Sequence, residues 1–285
     1  MKENLRKGLV ILLVLIFAAG GTLVLWQLYN YRASDQACDA AQELAVPAIP
    51  DSIPTPTPAV QPNLPERLES GVTESPEEPV QEQLEENVRF LLDLDLEALR
   101  QTNDRVLGWI HIPDNPIDYP LLQVKDNKEY LRRAWDGTEN QAGCIFLECK
   151  NSRDFDDFNT LIYGHFMRNG KMFGSLHSYR EQEYRDAHPC IYVVTDAWVY
   201  RYEVFAAYEA DVVSDTYRLY FEDEEVKLRA LAYYQNSSVV KSDIRPTVDD
   251  RILTLSTCMG TGTYDTRWVV QAVRTGQFPL ILVRE

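Results

Sequence analysis

Arg251-Ile-Leu-Thr-Leu-Ser-Thr-Cys258, Met259-Gly-Thr-Gly-Thr-Tyr-Asp-Thr266 and Arg267-Trp-Val-Val-Gln-Ala-Val273 form one continuous stretch. The first part is β-branched and apolar, the second is a glycine-bearing loop, and the third is strand-like again. Paired as a hairpin, the two strands bring Cys258 and Arg267 across from each other at one rim of a sheet. A thiol attacks only as thiolate and needs a proton acceptor and nearby positive charge. An arginine supplies permanent charge and a donor fork for a developing oxyanion. The plainer readings are a buried cysteine and a surface ion pair of Arg267 with Asp265. A strand end ahead of a glycine loop favours an exposed Cys258. On strand alternation Ser256 shares a face with Cys258, so its hydroxyl can touch substrate or tune the thiol.

The missing acid/base must come from four histidines. Asn159-Thr-Leu-Ile-Tyr-Gly-His165 is a short apolar strand ending in Gly-His, followed by a turn at Asn169-Gly170. His165 is thus at a strand end, like Cys258. His111 is mid-strand, His177 follows Ser175-Leu176 at a helix start, and His188 precedes Pro189 in a loop.

Outward from these motifs, Val106–Ile112, Ile117–Leu122, Gly143–Leu147, Thr160–Tyr163, Cys190–Val194, Ala197–Tyr208 and Phe278–Val283 read as further strands. Between Ala197 and Tyr208, Trp198, Tyr200, Tyr202 and Val204 share one face and Arg201 and Glu203 the other, a half-buried antiparallel pattern. Short strands with turn signals and few helices predict a mainly β fold closed, or nearly closed, into a barrel. Leu84, Val88, Leu91, Leu92 and Leu99 predict an amphipathic helix over about 84–101. Tyr179–Ala187 and Glu222–Tyr234 predict two helical inserts.

Tyr163-Gly-His165-x-Met167-x-x-Gly170-x-Met172-Phe173, Leu255-Ser-Thr-Cys258 and the strand-opening Arg267 together resemble the sortases, most closely those of class B. The resemblance runs from about Leu84 to the C-terminus. It implies a closed eight-stranded barrel with an N-terminal helix and an inserted helix before the nucleophile strand. It also implies transpeptidation. Cys258 attacks the Thr carbonyl of a C-terminal sorting signal, Asn-Pro-x-Thr-x or a related x-Pro-x-Thr-Gly. His165 protonates the leaving amine, while Arg267 and the backbone N–H after Cys258 hold the oxyanion. The acyl group passes to an amine of a peptidoglycan cross-bridge or a lipid-linked precursor, or to a pilin lysine. Ser256, Thr257, Met259 and Met167 are the expected substrate contacts. Class B members often carry an acidic residue shortly after the cysteine. Here Gly260 stands two residues on, Asp265 is not taken to replace it, and no Cys-His-Asp triad is expected. The alternatives are an L,D-transpeptidase-like enzyme, a pilin-polymerising sortase and a non-catalytic wall-binding scaffold.

The chain has 285 residues and a net charge of −16, which disfavours nucleic acid as a partner. Gly8–Leu28 is almost wholly apolar, and about 20 such residues span a bilayer core. Lys2, Arg6 and Lys7 precede the run. The expectation is residues 1–7 in the cytoplasm, a single-pass membrane anchor at 8–28, a Pro/Glu-rich stalk at 29–83 and an extracytoplasmic catalytic domain at 84–285. Cys144 and Cys149 lie too far apart along one strand for a disulfide. They and Cys190 read as buried thiols, and Cys38 as a linker residue. No CxxC or His/Cys cluster has zinc spacing, and no cofactor is expected.

Overall fold

The computed structural model describes residues 2–46, 84–258 and 265–280. Its strands are β1 (Val106–His111), β2 (Asp118–Leu122), β3 (Ile145–Leu147), β4 (Asn159–Tyr163), β5 (Cys190–Val194), β6 (Trp198–Asp211), β7 (Ile252–Cys258) and β8 (Thr266–Pro279). They close into a barrel in the order β1-β2-β3-β4-β7-β8-β6-β5, with β5 pairing back onto β1 through Trp109↔Val194. Closure leaves no sheet edge with a row of unpaired backbone groups. Inward-facing Ile110, Leu121, Ile162, Leu255 and Val270 are fully buried in the barrel core. The eight-stranded mainly β architecture expected from the resemblance is therefore present.

Among the described residues four α-helices accompany the barrel: α1 (Lys2–Ala45), α2 (Leu96–Thr102), α3 (Gln182–Ala187) and α4 (Glu224–Ser237). α4 is the expected insert before β7. Its Ala230, Leu231 and Tyr234 pack against Phe205, Tyr208 and Val269 on the outside of the barrel. That cover explains one departure from expectation. β6 alternates from Tyr200 to Glu203 but is buried on both faces from Val204 to Tyr208.

Two other local expectations change. The region over 84–101 is not one helix. A 3-10 helix at Glu86–Asp93 ends first, and the Asp95 carboxylate then accepts from the Ala98 N–H at 2.9 Å, capping α2 as a new start. Phe278 does not begin a separate strand, and residues 281–283 of the expected one lie outside the described residues. β8 continues unbroken to Pro279 because β6 supplies partners all the way to Trp198.

The N-terminal expectation is corrected. Among the described residues, no helix is long and apolar enough to cross a membrane. This overturns the single-pass anchor at 8–28, and with it the cytoplasmic N-terminus and the extracytoplasmic placement of the domain. The apolar run is the first half of a 44-residue helix that continues through Asp35, Gln36, Asp39 and Glu43. The alanine-rich segment 37–45 favours helix, so α1 persists where the sequence reading begins a stalk at residue 29. Its last turns dock on the domain, burying Cys38, Ala41 and Ala45. The Gln42 amide reaches the Asp118 carboxylate at 3.0 Å, and Asp95 N–H donates to the Ala45 carbonyl at 2.8 Å. Residues 47–83, the remainder of the expected stalk, lie outside the described residues.

Candidate active site

Three adjacent strands bring the sequence-predicted site together. β4 and β7 run parallel, with Tyr163 opposite Ser256, and the Gly164 N–H donates to the Ser256 carbonyl at 3.2 Å. His165 and Cys258 are each two residues beyond that pair, so their backbones emerge side by side from the same barrel rim. β7 and β8 are antiparallel, and Cys258 is the register partner of Arg267. The hairpin predicted from sequence is therefore present with the predicted cross-strand pair. Met259 and the loop to residue 264, including Gly260, lie outside the described residues.

His165 has a defined seat. Its Nε2 is 2.7 Å from the Leu131 carbonyl oxygen. A carbonyl only accepts, so Nε2 carries the proton, and Nδ1 is the nitrogen left to exchange one. Leu131 ends a short 3-10 turn, Glu129–Leu131, in the segment between β2 and β3. Gly143, at φ +61, closes the seat from below. A Cβ there would lie 2.9 Å from His165 Cδ2 and 2.6 Å from the Tyr130 carbonyl oxygen. The other described histidines are committed elsewhere. His111 Nδ1 is 3.0 Å from Asp118 Oδ1, His188 Nδ1 is 3.0 Å from the Pro113 carbonyl, and the His177 ring lies 4.5 Å from that of Phe166.

A cleft of about 290 Å³ opens at this rim, lined by His165, Arg267, Ser256, Thr257, Tyr163 and Asn127 among others. A larger cleft of about 750 Å³ lies near the far end of β8, at Gln277, and its lining has no thiol or imidazole. Chemistry, not size, singles out the smaller one. Ser256 is buried and shares a 2.9 Å hydrogen bond with the Tyr217 hydroxyl. Thr257 is buried and its hydroxyl has no hydrogen-bond partner among the described residues. Met167 packs instead against the barrel core.

Sequence reading missed the carboxylate behind this cleft. Glu148, only 6% exposed, accepts from the Tyr163 hydroxyl at 3.0 Å and from Asn127 Nδ2 at 2.6 Å. Cys149 Sγ is 3.3 Å from its other oxygen. The site wall is thus fixed by a buried carboxyl group whose two oxygens both take part in hydrogen bonds. Its only trace in the sequence is an acidic residue after Ile-Phe-Leu.

The remaining cysteines divide by burial. Cys144 and Cys190 are buried, as expected, whereas Cys149 is only partly so. Cys38 is no linker residue: it is buried beneath α1, and burial pushes its thiol up to about 12. Burial also raises Cys144 well above the ordinary thiol range. Such thiols stay protonated and unreactive at neutral pH.

Residues 110–275 match the family model of the sortase domain. Sortase B of Listeria monocytogenes is 38% identical over 168 residues, which is 58% of this chain and 67% of that protein. The structure of a Staphylococcus aureus sortase B–substrate complex superposes with a TM-score of 0.60 at 31% identity, covering 63% of this chain and 84% of that one. A sortase B complexed with triglycine gives a TM-score of 0.60 at 32% identity, with coverage of 63% and 84%. The family match begins within β1, so α1 and α2 lie outside it. A match over more than half the sequence, on a barrel whose rim presents the Cys, His and Arg motifs, means that this chain belongs to the sortase family, the cysteine transpeptidases, and to its class B.

Proposed function

We propose that Cys258 is the nucleophile, His165 the acid/base and Arg267 the oxyanion donor for transfer of a sorting-signal peptide to an amine. The observation that carries this is the rim register: Cys258 opposite Arg267 on one side and His165 alongside on the other. The Cys258 thiolate attacks the Thr carbonyl carbon, forming a C–S bond and a tetrahedral oxyanion that Arg267 stabilises. Collapse breaks the C–N bond, and His165 protonates the leaving amine. In the second half an acceptor amine attacks the thioester, His165 takes its proton, and thiolate leaves. Because Nε2–H is engaged by the Leu131 carbonyl, the exchanged proton belongs to Nδ1.

The substrate signal is of the form Asn-Pro-x-Thr-x or x-Pro-x-Thr-Gly, read by the cleft at Ser256 and Thr257. The unpartnered Thr257 hydroxyl supports a polar group of the peptide at that point, since a buried unpaired hydroxyl costs roughly 1–3 kcal/mol. The relative complexed with triglycine supports a small amine-bearing acceptor, here a peptidoglycan cross-bridge or lipid-linked precursor. The catalytic unit comprises residues 84–285 together with the end of α1 docked on them. Mass spectrometry of the protein incubated with a library of x-Pro-x-Thr-x peptides tests this. The expected product is a thioester adduct on the Cys258 peptide, absent in Cys258→Ala. No adduct with any member would sink the sorting-signal reading.

A further inference from the structure

The imidazole of His165 rests on backbone, and that backbone is held by α1. The Leu131 carbonyl lies in the segment joining β2 to β3, whose longest regular element is the 3-10 turn Glu129–Leu131. Within that segment Trp135, 4% exposed, donates its indole N–H to the Ala37 carbonyl of α1 at 2.6 Å. The Ala37 carbonyl has a second lone pair for this bond beyond its helical partner. Ser34, Ala37 and Cys38 close over Gly143 and Cys144 from the same segment, and over Met172.

The same turn of α1 also grips the loop that presents the ring. Asp35 Oδ1 lies 2.7 Å from Lys171 Nζ. Lys171 belongs to the turn after His165, where Phe166 bridges Met172 and the Phe173 N–H donates to the His165 carbonyl at 3.0 Å. Asp35–Cys38 thus ties together the segment that offers the carbonyl and the turn that carries the imidazole. α1 lies outside the matched family domain.

We infer that the docked end of α1 is a positioning strut for the catalytic imidazole, with Trp135 and the Asp35–Lys171 pair as positioning residues. The strut holds Nε2–H on the Leu131 carbonyl and so keeps Nδ1 available for proton transfer. The inference rests on His165 as the acid/base. A displacement of about 1 Å at such a contact costs on the order of 10² in rate, whereas a half-exposed ion pair contributes little by itself.

The test uses the full chain with Trp135→Phe and Asp35→Asn, and His165→Ala as reference. Trp135→Phe removes the indole N–H and keeps an aromatic ring. Asp35→Asn alters a half-exposed pair and leaves the fold intact. Single-turnover acylation with a sorting peptide gives rate and peptide affinity separately, and ¹⁵N spectra of the His165 ring report the tautomer. The expected result is a loss of about tenfold or more in acylation rate for Trp135→Phe and about two- to threefold for Asp35→Asn. Peptide affinity stays within twofold, and the ring signals move from a fixed Nε2–H pattern toward tautomer averaging. Parental acylation rates and unchanged ring signals in both variants, beside an inactive His165→Ala, would overturn the strut and leave the acid/base role standing. A fully active His165→Ala would overturn the acid/base role and the inference with it.

Discussion

Replacing Gly143 by alanine separates site geometry from plain stability, because Gly137 in the same segment provides the control. Gly143 has φ +61 and Gly137 φ +85. An alanine at either is strained by roughly 1–3 kcal/mol, so both variants lose stability. Only at 143 does the new Cβ meet anything. It would lie 2.6 Å from the Tyr130 oxygen, 2.9 Å from His165 Cδ2 and 3.1 Å from the Leu131 oxygen, while at 137 nothing lies within 4 Å. Ordinary contact starts at 3.4 Å, so the Tyr130 oxygen must yield by 3.4 − 2.6 = 0.8 Å, and the ring and the Leu131 carbonyl by less. Those two groups make the 2.7 Å hydrogen bond that fixes the imidazole. The ring must yield by 3.4 − 2.9 = 0.5 Å and the Leu131 carbonyl by 3.4 − 3.1 = 0.3 Å, a fraction of the 1 Å displacement that costs on the order of 10² in rate, so about tenfold is expected. Urea unfolding and single-turnover acylation on the two variants read the two effects apart. Gly143→Ala should acylate about tenfold more slowly than Gly137→Ala, which should match the parent under conditions where both are folded. Equal acylation by the two folded variants would refute the claim that the seat of His165 sets the rate.

Cys258→Ala should abolish both cleavage and transfer of a sorting peptide, while Cys149→Ser and Cys190→Ala keep the chemistry; near-normal cleavage by Cys258→Ala would end the nucleophile assignment. Arg267→Ala should lose about 10² to 10³ in acylation, the usual effect of removing one oxyanion donor, and Arg267→Lys should not restore it, because a point charge lacks the fork. Asp265→Ala should lose much less, and the reverse ranking in stopped-flow acylation would move the third role to Asp265. A maleimide at pH 8 should leave Cys38 unlabelled in the folded protein, since a thiol raised to about 12 is ionised there to roughly one part in 10⁴; fast labelling would mean that α1 does not stay docked. The same shift has a sign for stability. A thiol held protonated in the folded state and free to ionise near 9 when unfolded leaves stability intact below pH 9 and erodes it between 9 and 12, so Cys38→Ala should flatten the alkaline fall in melting temperature.

The rim of the barrel is legible in the sequence because its signals are side-chain signals. A β-branched run, a glycine loop and a second run give the hairpin, and eight residues between Cys258 and Arg267 suffice to pair them across it. Gly-His after an apolar strand gives the third residue. The groups that seat the histidine leave no such mark. Leu131 contributes a carbonyl, which any residue would supply. Gly143 contributes the absence of a Cβ, and the sequence does not say that an imidazole lies above it.

The docked end of α1 is hidden for a different reason. Ser34, Cys38, Ala41 and Ala45 are buried and recur at helical spacing. Their side chains are small, so the stripe carries little hydrophobicity and reads as linker. Small residues are what let a helix backbone approach another surface closely enough for Trp135 to reach the Ala37 carbonyl. A hydropathy window over 8–28 sees the apolar half of α1 and not the docked half. The information that the two halves are one helix lies in the backbone propensity of 37–45. It follows that the weakest-looking segment of the chain by composition, 34–45, touches both supports of His165. Substitutions there should change acylation before they change the fold.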